Sequence, residues 1–355
     1  LDDYYVEVMD DVQELLRYVF RTDNEHTLVV SGTGSAAMET SFTNLLEPGE
    51  TVLVPSNGYF GDRMGQVAER AGAEVVTVDA PWGEPLDPAD VEDAFDEHQP
   101  TVFGFVHGET STGAQQTDVP ELTSIAHAHD AYVVADTVPV LGGVEFRTDD
   151  WDVDVVYTGS QKCLSAPPGV APITFNDRAM EKVRSRETEV RSWYLDLDDV
   201  WEYWSEERNY HHTGPTSNTY ALREALRLIA EEGIEETWAR HRRVAGALKA
   251  GVEAMGLPLA VEEDHWLPTL NPVPVPDGVD DGVVIDRLME EHGIEIVGGL
   301  GPLGGEIFRV GCMGHSARPA KVAGLVDAFG AVLADEGADV DPEAGAAATS
   351  RALRD

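Results

Sequence analysis

Lysine is scarce in this 355-residue chain, which has only four lysines, at positions 162, 182, 249 and 321, among its 24 basic residues. Acidic residues number 66, so the formal net charge is −42. A surface this acidic repels polyanions, which excludes nucleic acid and anionic membrane surfaces as expected partners. The acidic excess is spread along the chain, and salt screens its self-repulsion. We therefore expect a halophilic host, and equal melting temperatures in dilute buffer and in molar salt would contradict this expectation.

Cysteine is rarer still, because Cys163 and Cys312 are the only two. Two isolated cysteines give neither a disulfide framework nor metal-ligand spacing, and they indicate a reducing, intracellular setting. Apolar runs stay well short of membrane-spanning length, and no signal peptide is visible. We therefore expect a cytoplasmic protein that binds no metal ion and no membrane.

Strand and helix signals alternate over the first half of the chain. Apolar runs predict strands at 27–30, 51–54, 74–78, 101–106 and 131–135. Amphipathic or small-residue runs between them predict helices at 35–46, 60–71 and 122–128. Because these strands are continuously apolar instead of alternating, they predict an α/β fold with a mainly parallel sheet that is buried on both faces.

The second half predicts a smaller unit. Helices at 218–232 and 237–255 lead to strands near 268–275, 294–297 and 307–310 and to helices near 283–292 and 320–335. We divide the chain into an N-terminal helical segment (1–22), a large domain (23–245), a small C-terminal α+β domain (246–336) and a flexible acidic and Ala-rich tail (337–355).

Lys162 differs from the other three lysines in its surroundings. It follows the apolar run 153–157, whereas the others lie on charged or amphipathic helical segments. Partial burial at a strand end lowers the pKa of an ammonium group and makes the amine a nucleophile, as a Schiff-base lysine requires. A strand-end lysine that only reaches toward solvent is the alternative when Lys162 is considered alone.

Two further strand ends carry groups that suit an anionic, ring-shaped ligand. The small residues 31–35 open a helix, whose free N–H groups can hold a phosphate, although such turns often only cap a helix. This turn matches neither the P-loop nor the dinucleotide fingerprint. Asp136 ends the strand 131–135, where a carboxylate points into a ligand crevice and can hold a protonated pyridine nitrogen. An N-cap or a loop salt bridge is the alternative reading of this aspartate. The run 107–113 brings hydroxyls and an acid to the same edge.

These runs together resemble the class V, fold-type I pyridoxal-phosphate aminotransferases, and in particular the alanine–glyoxylate / serine–pyruvate aminotransferase family. The resemblance extends from about residue 12 to about residue 335 and is carried by five motifs: HGETSTG, ADTVPVLGG, TGSQKCLSAPPG, NYHHTGP and FRVGCMG. The family's Gly- and Pro-rich N-terminal segment is not seen in this sequence, and we expect it to be either disordered or removed.

The resemblance implies a fold-type I transferase with a seven-stranded sheet, and pyridoxal 5'-phosphate as cofactor. By this resemblance Lys162 is the Schiff-base lysine and proton carrier, and Asp136 pairs with the pyridine nitrogen. Thr110 lies near the ring hydroxyl, Phe60 stacks on the ring, and Val138 covers its opposite face.

The resemblance also implies how the two charged ends of the ligands are held. The cofactor phosphate is surrounded by Thr33, Gly34, Ser35 and Gln161. Tyr210 and Thr213 reach the phosphate of a neighbouring subunit, so the family implies a homodimer with shared active sites. Arg309 clamps the substrate α-carboxylate by a bidentate pair.

The expected reaction is transamination between alanine or serine and glyoxylate or pyruvate. The alternatives are an aspartate-using aminotransferase, a desulfurase or other lyase, and a cofactor-binding protein without turnover. A desulfurase needs a cysteine on a mobile loop, and neither Cys163 nor Cys312 is placed in that way.

Overall fold

The computed structural model describes residues 2–354, and residues 1 and 355 of the two predicted terminal segments lie outside this range. Within it the strands are β1 (His26–Ser31), β2 (Thr51–Ser56), β3 (Glu74–Asp79), β4 (Val102–Val106), β5 (Gly108–Glu109), β6 (Ala114–Gln115), β7 (Tyr132–Asp136), β8 (Val155–Tyr157), β9 (Val170–Phe175), β10 (Leu270–Pro274), β11 (Val297–Gly298) and β12 (Ile307–Gly311).

Helices cover both faces of the main sheet and build most of the C-terminal part. They are α1 (Asp3–Phe20), α2 (Gly34–Leu45), α3 (Tyr59–Ala71), α4 (Pro88–His98), α5 (Val119–Ala128), α6 (Asp177–Arg184), α7 (Leu197–Trp204), α8 (Thr216–Glu232), α9 (Ile234–Ala254), α10 (Asp281–His292), α11 (Pro319–Asp335) and α12 (Pro342–Ala352).

The main sheet has seven strands in the order β1-β9-β8-β7-β4-β2-β3. Only β9 runs antiparallel to its two neighbours, and the pairs β8–β7, β7–β4, β4–β2 and β2–β3 are parallel. The predicted α/β fold with a mainly parallel seven-stranded sheet is therefore confirmed. Because β1 is parallel to β8 across β9, the carboxyl ends of the six parallel strands meet at one edge, which brings Ser31, Ser56, Val106, Asp136 and Tyr157 together.

Strand β9 was not among the sequence-based strands, although each of its residues is buried. Pro172 lies in its interior and has no N–H to donate, which normally argues against a central strand. Here the carbonyl oxygen of Pro172 still accepts a hydrogen bond, of 2.9 Å, from the Thr158 N–H. This bond fastens the residues that precede Lys162 to the sheet.

The C-terminal part contains its own antiparallel sheet, in the order β10-β12-β11, with α10 and α11 packed beside it. Two large hydrophobic clusters of buried residues divide most of the chain, and the change from one to the other falls inside α9. A third, small cluster joins Val140 and Val144 to Leu267 and Leu270. Trp238 of α9 belongs to the first cluster, and Val244 and Leu248 belong to the second.

The prediction that 337–355 is a flexible tail was wrong for most of that segment. Residues Pro342–Ala352 form α12, in which the Asp341 side chain caps the helix by accepting from the Ala344 N–H at 2.9 Å. The small residues that suggested fraying let α12 lie close against α9: a Cβ on Gly345 would be 2.5 Å from the Met255 side chain. Close helix packing, and not lack of order, accounts for the glycine and alanine content.

None of the helices described between residues 2 and 354 is long and apolar enough to cross a membrane.

Candidate active site

A cavity of about 300 Å³ opens at the carboxyl edge of the main sheet. Nine of the residues predicted from sequence line it together: Thr33, Gly34, Ser35, Phe60, Thr110, Asp136, Val138, Gln161 and Lys162. The remaining lining residues are Met38, Arg63, Val106, Gly108 and Pro139. The edge where parallel strands end is the usual ligand site of such sheets.

Lys162 follows β8 in a tight turn, in which the Ser165 N–H donates to the Lys162 carbonyl oxygen at 3.0 Å. Its side chain is half-buried, and within residues 2–354 its amine has no hydrogen bond or ion pair. Burial lowers the pKa of Lys162, and the charge of Arg309 lowers it further. The amine is therefore more easily deprotonated than an ordinary lysine, as a nucleophile must be.

Asp136 is buried, with 3% of its surface exposed. One carboxylate oxygen accepts from the Val138 N–H at 2.9 Å, and the other accepts from the Tyr157 hydroxyl at 2.9 Å. Burial raises the pKa of Asp136 to about 6, and these two donors only partly oppose it. Within residues 2–354 no lysine or arginine pairs with this carboxylate, so its charge fits a ligand that brings a cationic N–H.

Tyr157 was not predicted as a site residue. It ends β8, is fully buried, and donates across the parallel pair β7–β8, in which it lies directly opposite Asp136. A phenol that can serve only as donor to this carboxylate fixes the orientation of the carboxylate. The sequence signal was a tyrosine at the end of an apolar strand, just before the lysine turn.

The start of α2 provides the anion-binding end of the cavity. No side chain caps this helix, and within the described range the N–H groups of Gly34 and Ser35 have no acceptor. A Cβ on Gly34 would be 2.8 Å from a Val138 methyl group, so the backbone approaches the cavity wall more closely than a side chain allows. Free N–H groups at a helix N-terminus suit a phosphate.

Glu109, the acid in the run 107–113, caps the start of helix α3, although it lies far from that helix in the sequence. One of its oxygens accepts from the N–H groups of Phe60 at 2.9 Å and Gly61 at 3.3 Å, and the other accepts from Ser111 Oγ at 2.7 Å. A Cβ on Gly58 would lie 2.3 Å from Glu109 Cγ, so this approach requires glycine. Glu109 therefore fixes the start of α3 and with it the Phe60 ring.

Arg309 lies on β12 and joins the C-terminal part to the cavity. Its Nε donates to the Gly298 carbonyl oxygen at 2.7 Å, and its Nη1 donates to the Thr110 carbonyl oxygen at 3.2 Å. No carboxylate within residues 2–354 pairs with the guanidinium, and burial lowers its pKa. The Nη2 group has no partner in the described chain, so the guanidinium retains donors for an anionic ligand.

Tyr210 and Thr213 do not line the cavity of their own chain. Tyr210 is 73% exposed, and its hydroxyl is 3.0 Å from Thr213 Oγ1. The segment that carries them is fastened to the end of β1, because His212 Nε2 is 2.5 Å from Ser31 Oγ and His211 Nδ1 is 2.7 Å from His212 Nδ1. Their predicted place in a neighbouring subunit stays a prediction.

Arg63 is a second lining residue that was not predicted. Its Nη1 is 3.4 Å from Ser35 Oγ, and its guanidinium carbon lies 5.0 Å from the centre of the Phe60 ring and 5.1 Å from that of Tyr59. The sequence signal was an arginine one helical turn after two aromatic residues, because such a spacing places them on one face.

The family model described as Aminotransferase class-V matches residues 2–302. The chain belongs to this family of aminotransferases.

Similar proteins agree with this assignment. An alanine–glyoxylate aminotransferase of Drosophila melanogaster is 40% identical over 321 residues, which cover 89% of this chain and 82% of the relative. The solved structure of an alanine–glyoxylate aminotransferase from Nostoc sp. superimposes with a TM-score of 0.92 at 45% identity, over 94% of this chain and 88% of that one. The solved structure of a ureidoglycine–glyoxylate aminotransferase from Bacillus subtilis superimposes with a TM-score of 0.97 at 37% identity, over 100% of this chain and 91% of that one.

The fold is therefore fold-type I, and the enzyme is an aminotransferase that uses pyridoxal phosphate. The cavity fits this cofactor at both ends: free N–H groups at the start of α2 suit the phosphate, and the unpaired carboxylate of Asp136 suits a protonated ring nitrogen. A desulfurase would need a reactive thiolate. Cys163 and Cys312 are both buried, and burial raises the pKa of each thiol to about 12.

Proposed function

We propose that this enzyme transfers an amino group from a small amino acid, alanine or serine, to glyoxylate or pyruvate. The observation that carries the proposal is one cavity that brings together the amine of Lys162 and the buried carboxylate of Asp136. Arg309 does not line this cavity itself but is held beside it, because it donates to the carbonyl oxygen of the lining residue Thr110. The alanine–glyoxylate aminotransferases at 40–45% identity support the substrate pair.

Each group has a task that follows from its chemistry. Arg309 holds the α-carboxylate of the amino acid and of the 2-oxo acid through charge-assisted hydrogen bonds. Lys162, with its lowered pKa, takes the proton from the Cα of the amino acid donor. When the 2-oxo acid is the acceptor, Lys162 returns a proton to Cα. Asp136 keeps the pyridine nitrogen protonated, and Tyr157 holds the carboxylate in place for that purpose. When bound, pyridoxal phosphate serves as electron sink for the charge that develops at Cα.

The charges that line the cavity favour a substrate without a second carboxylate. Besides Lys162, the described lining contains one further cation, Arg63, and that residue lies at the phosphate end beside Ser35. A donor with a second carboxylate, such as aspartate, would therefore lack a cation of its own in this lining. This charge distribution favours alanine or serine over aspartate.

Ureidoglycine is the second candidate donor, because the Bacillus subtilis relative superimposes over the whole of this chain with a TM-score of 0.97. A panel of alanine, serine, ureidoglycine and aspartate, each with glyoxylate, and of the last three also with pyruvate, decides between these donors. We expect the highest kcat/KM for alanine or serine with glyoxylate, measured as glycine or alanine formed. Preference for ureidoglycine would replace the proposed donor, and preference for aspartate would contradict the charge argument.

We also propose that the active enzyme is a cytoplasmic homodimer in which Tyr210 and Thr213 of one subunit bind the phosphate held by the other. Three observations support this: both side chains lie outside their own cavity, Tyr210 is 73% exposed, and the neighbouring Trp193 is 67% exposed. Aromatic side chains with this exposure are typical of interfaces. The two free, buried thiols are compatible with a reducing compartment.

Subunit mixing tests the shared site. Lys162→Ala subunits and Tyr210→Phe/Thr213→Ala subunits are refolded together, and hybrids are isolated by two different tags. If the sites are shared, each hybrid combines both defects in one site and leaves the other site intact, so activity returns at low cofactor concentration. If each subunit used its own Tyr210 and Thr213, every hybrid site would carry a defect and no activity would return.

A further inference from the structure

The phosphate end of the cavity has too little positive charge, among the residues assigned to it, to balance a bound phosphate. The residues that the family resemblance assigns to the phosphate are all neutral: Thr33, Gly34, Ser35, Gln161 and, from a neighbouring subunit, Tyr210 and Thr213. A phosphate ester carries a charge of about −1.5 to −2 at neutral pH. The N-terminus of α2 contributes only about half a positive charge. Neutral donors and one helix terminus therefore leave most of this charge uncompensated.

Besides Lys162, Arg63 is the one cation in the described lining of the cavity. It lies on α3, which packs against α2, and its Nη1 is 3.4 Å from Ser35 Oγ at the second position of α2. The distance is at the upper limit for a hydrogen bond, so the contact records proximity more than attraction. Arg63 lines the same cavity as Thr33, Gly34 and Gln161.

The surroundings of Arg63 keep its guanidinium available. The chain has 66 acidic residues, yet none within residues 2–354 places a carboxylate oxygen within 4.0 Å of Arg63. Six of the twelve arginines on the described helices, among them Arg227 and Arg287, do have such partners. The guanidinium carbon of Arg63 instead lies over the Tyr59 and Phe60 rings, 5.1 and 5.0 Å from their centres. Aromatic contacts orient an arginine without using its hydrogen-bond donors.

We propose that Arg63 binds the phosphate of the cofactor and supplies the charge that the neutral donors lack. The inference rests on the proposed function for the position of the phosphate. A guanidinium beside the start of α2 forms charge-assisted hydrogen bonds to phosphate oxygens, and its planar fork allows two of them. Because Arg63 also lies over Phe60, one residue connects the phosphate to the ring-stacking side chain.

The experiment compares two ligands that differ only in the phosphate. Apoenzyme is titrated with pyridoxal phosphate and with pyridoxal, and dissociation constants are taken from protein fluorescence. The variants are Arg63→Met, which removes the charge, and Arg63→Lys, which keeps it. Arg70→Met is the matched control, because Arg70 lies on the same helix, is exposed, and donates only to the Gln66 carbonyl oxygen at 3.2 Å.

We expect Arg63→Met to weaken binding of pyridoxal phosphate by about 10- to 100-fold, which corresponds to about 1.4–2.8 kcal/mol. Binding of pyridoxal should change by less than about threefold, and Arg63→Lys should recover at least half of the loss on a logarithmic scale. Inorganic phosphate should compete with pyridoxal phosphate less well in Arg63→Met than in wild type. Arg70→Met should bind both ligands as wild type does.

Two results would overturn the proposal. Equal weakening for pyridoxal and pyridoxal phosphate would show that Arg63 acts through the Phe60 ring. Unchanged binding of both ligands would show that it acts on neither. Circular dichroism of each apoenzyme identifies a variant that has lost its fold, and Arg63→Lys then carries the comparison. Because this measurement uses no amino donor, its failure is distinguishable from failure of the proposed substrates.

Discussion

Replacing Lys162 by alanine is expected to abolish transamination and the adduct that borohydride traps between enzyme and cofactor. The reason is that Lys162 is the one lysine lining the cavity in the described chain, so no other amine can form the Schiff base or carry the Cα proton. Loss of a positioned proton carrier costs at least about 10³-fold in rate, within the range for general acid–base catalysis. Turnover with the best donor and the mass of the borohydride-treated protein measure both effects.

Lys182→Ala is the matched control for this variant. Lys182 forms an ion pair with Glu50 away from the cavity, and its removal should leave both the rate and the trapped adduct unchanged. A trapped adduct in Lys162→Ala, or transamination at an undiminished rate, would remove Lys162 from the chemistry. A trapped adduct that is lost in Lys182→Ala instead would transfer the role to that lysine.

Replacing Asp136 by asparagine is expected to lower kcat by about 10²–10³-fold, a typical loss when one preorganised charge is removed from a reacting centre. Asparagine fills the same space and still accepts from Val138, but it cannot keep a pyridine nitrogen protonated. The KM for the amino donor should change little, because the donor is held by Arg309. A near-wild-type kcat would contradict the assigned role.

Asp136→Asn is expected to lower kcat but to raise the stability of the apoenzyme. The folded pKa of Asp136 is about 6, above the ordinary value of 3.8, so the folded apoenzyme retains a proton that the unfolded chain releases. Stability from this group is complete below pH of about 4 and is lost as the pH rises through about 6, by about 3 kcal/mol. Asp136→Asn lacks this loss, so its apoenzyme should melt higher than wild type at pH 8 and by a smaller margin at pH 5.

This pH dependence separates burial from a simple packing defect. If asparagine disturbed the packing around Tyr157, the variant apoenzyme would melt below wild type at both pH values. Added pyridoxal phosphate should reverse the order, because the carboxylate of the wild type then has a cationic partner and asparagine has none. Equal melting temperatures with and without cofactor would contradict the pairing of Asp136 with the ring nitrogen.

The sequence predicted the groups that lie at strand ends. Asp136 and Lys162 could be placed because carboxyl ends of parallel strands share one edge, and this rule needs no knowledge of side-chain rotamers. The Tyr157 hydroxyl could not be assigned to Asp136, because that contact depends on the register between β7 and β8. The cap that Glu109 provides for α3 depends likewise on how the β5–β6 hairpin, which follows β4, approaches a helix that follows β2.

Other parts of the fold and of the site could not be predicted, because they depend on how helices, strands or chains pack against each other. The position of Arg63 follows from the rotation of α3 against α2, which periodicity alone leaves open. Strand β9 was missed because of Pro172, and helix α12 because small residues indicate close packing as well as disorder. The proposed roles of Tyr210 and Thr213 involve a second chain, so they came only from the resemblance to the family.

Helix α9 links the two large hydrophobic clusters as one stiff element. It has 21 residues and so a length of about 30 Å, and it carries Trp238 in the first cluster and Leu248 in the second. Rotation of the C-terminal part against the main sheet must therefore bend this helix, because the chain passes between the clusters inside it and not through a loop. The elastic resistance of α9 thus limits how far Arg309 can withdraw from Thr110, so substrate exchange is expected to proceed by small displacements of the arginine and not by wide opening of the two parts.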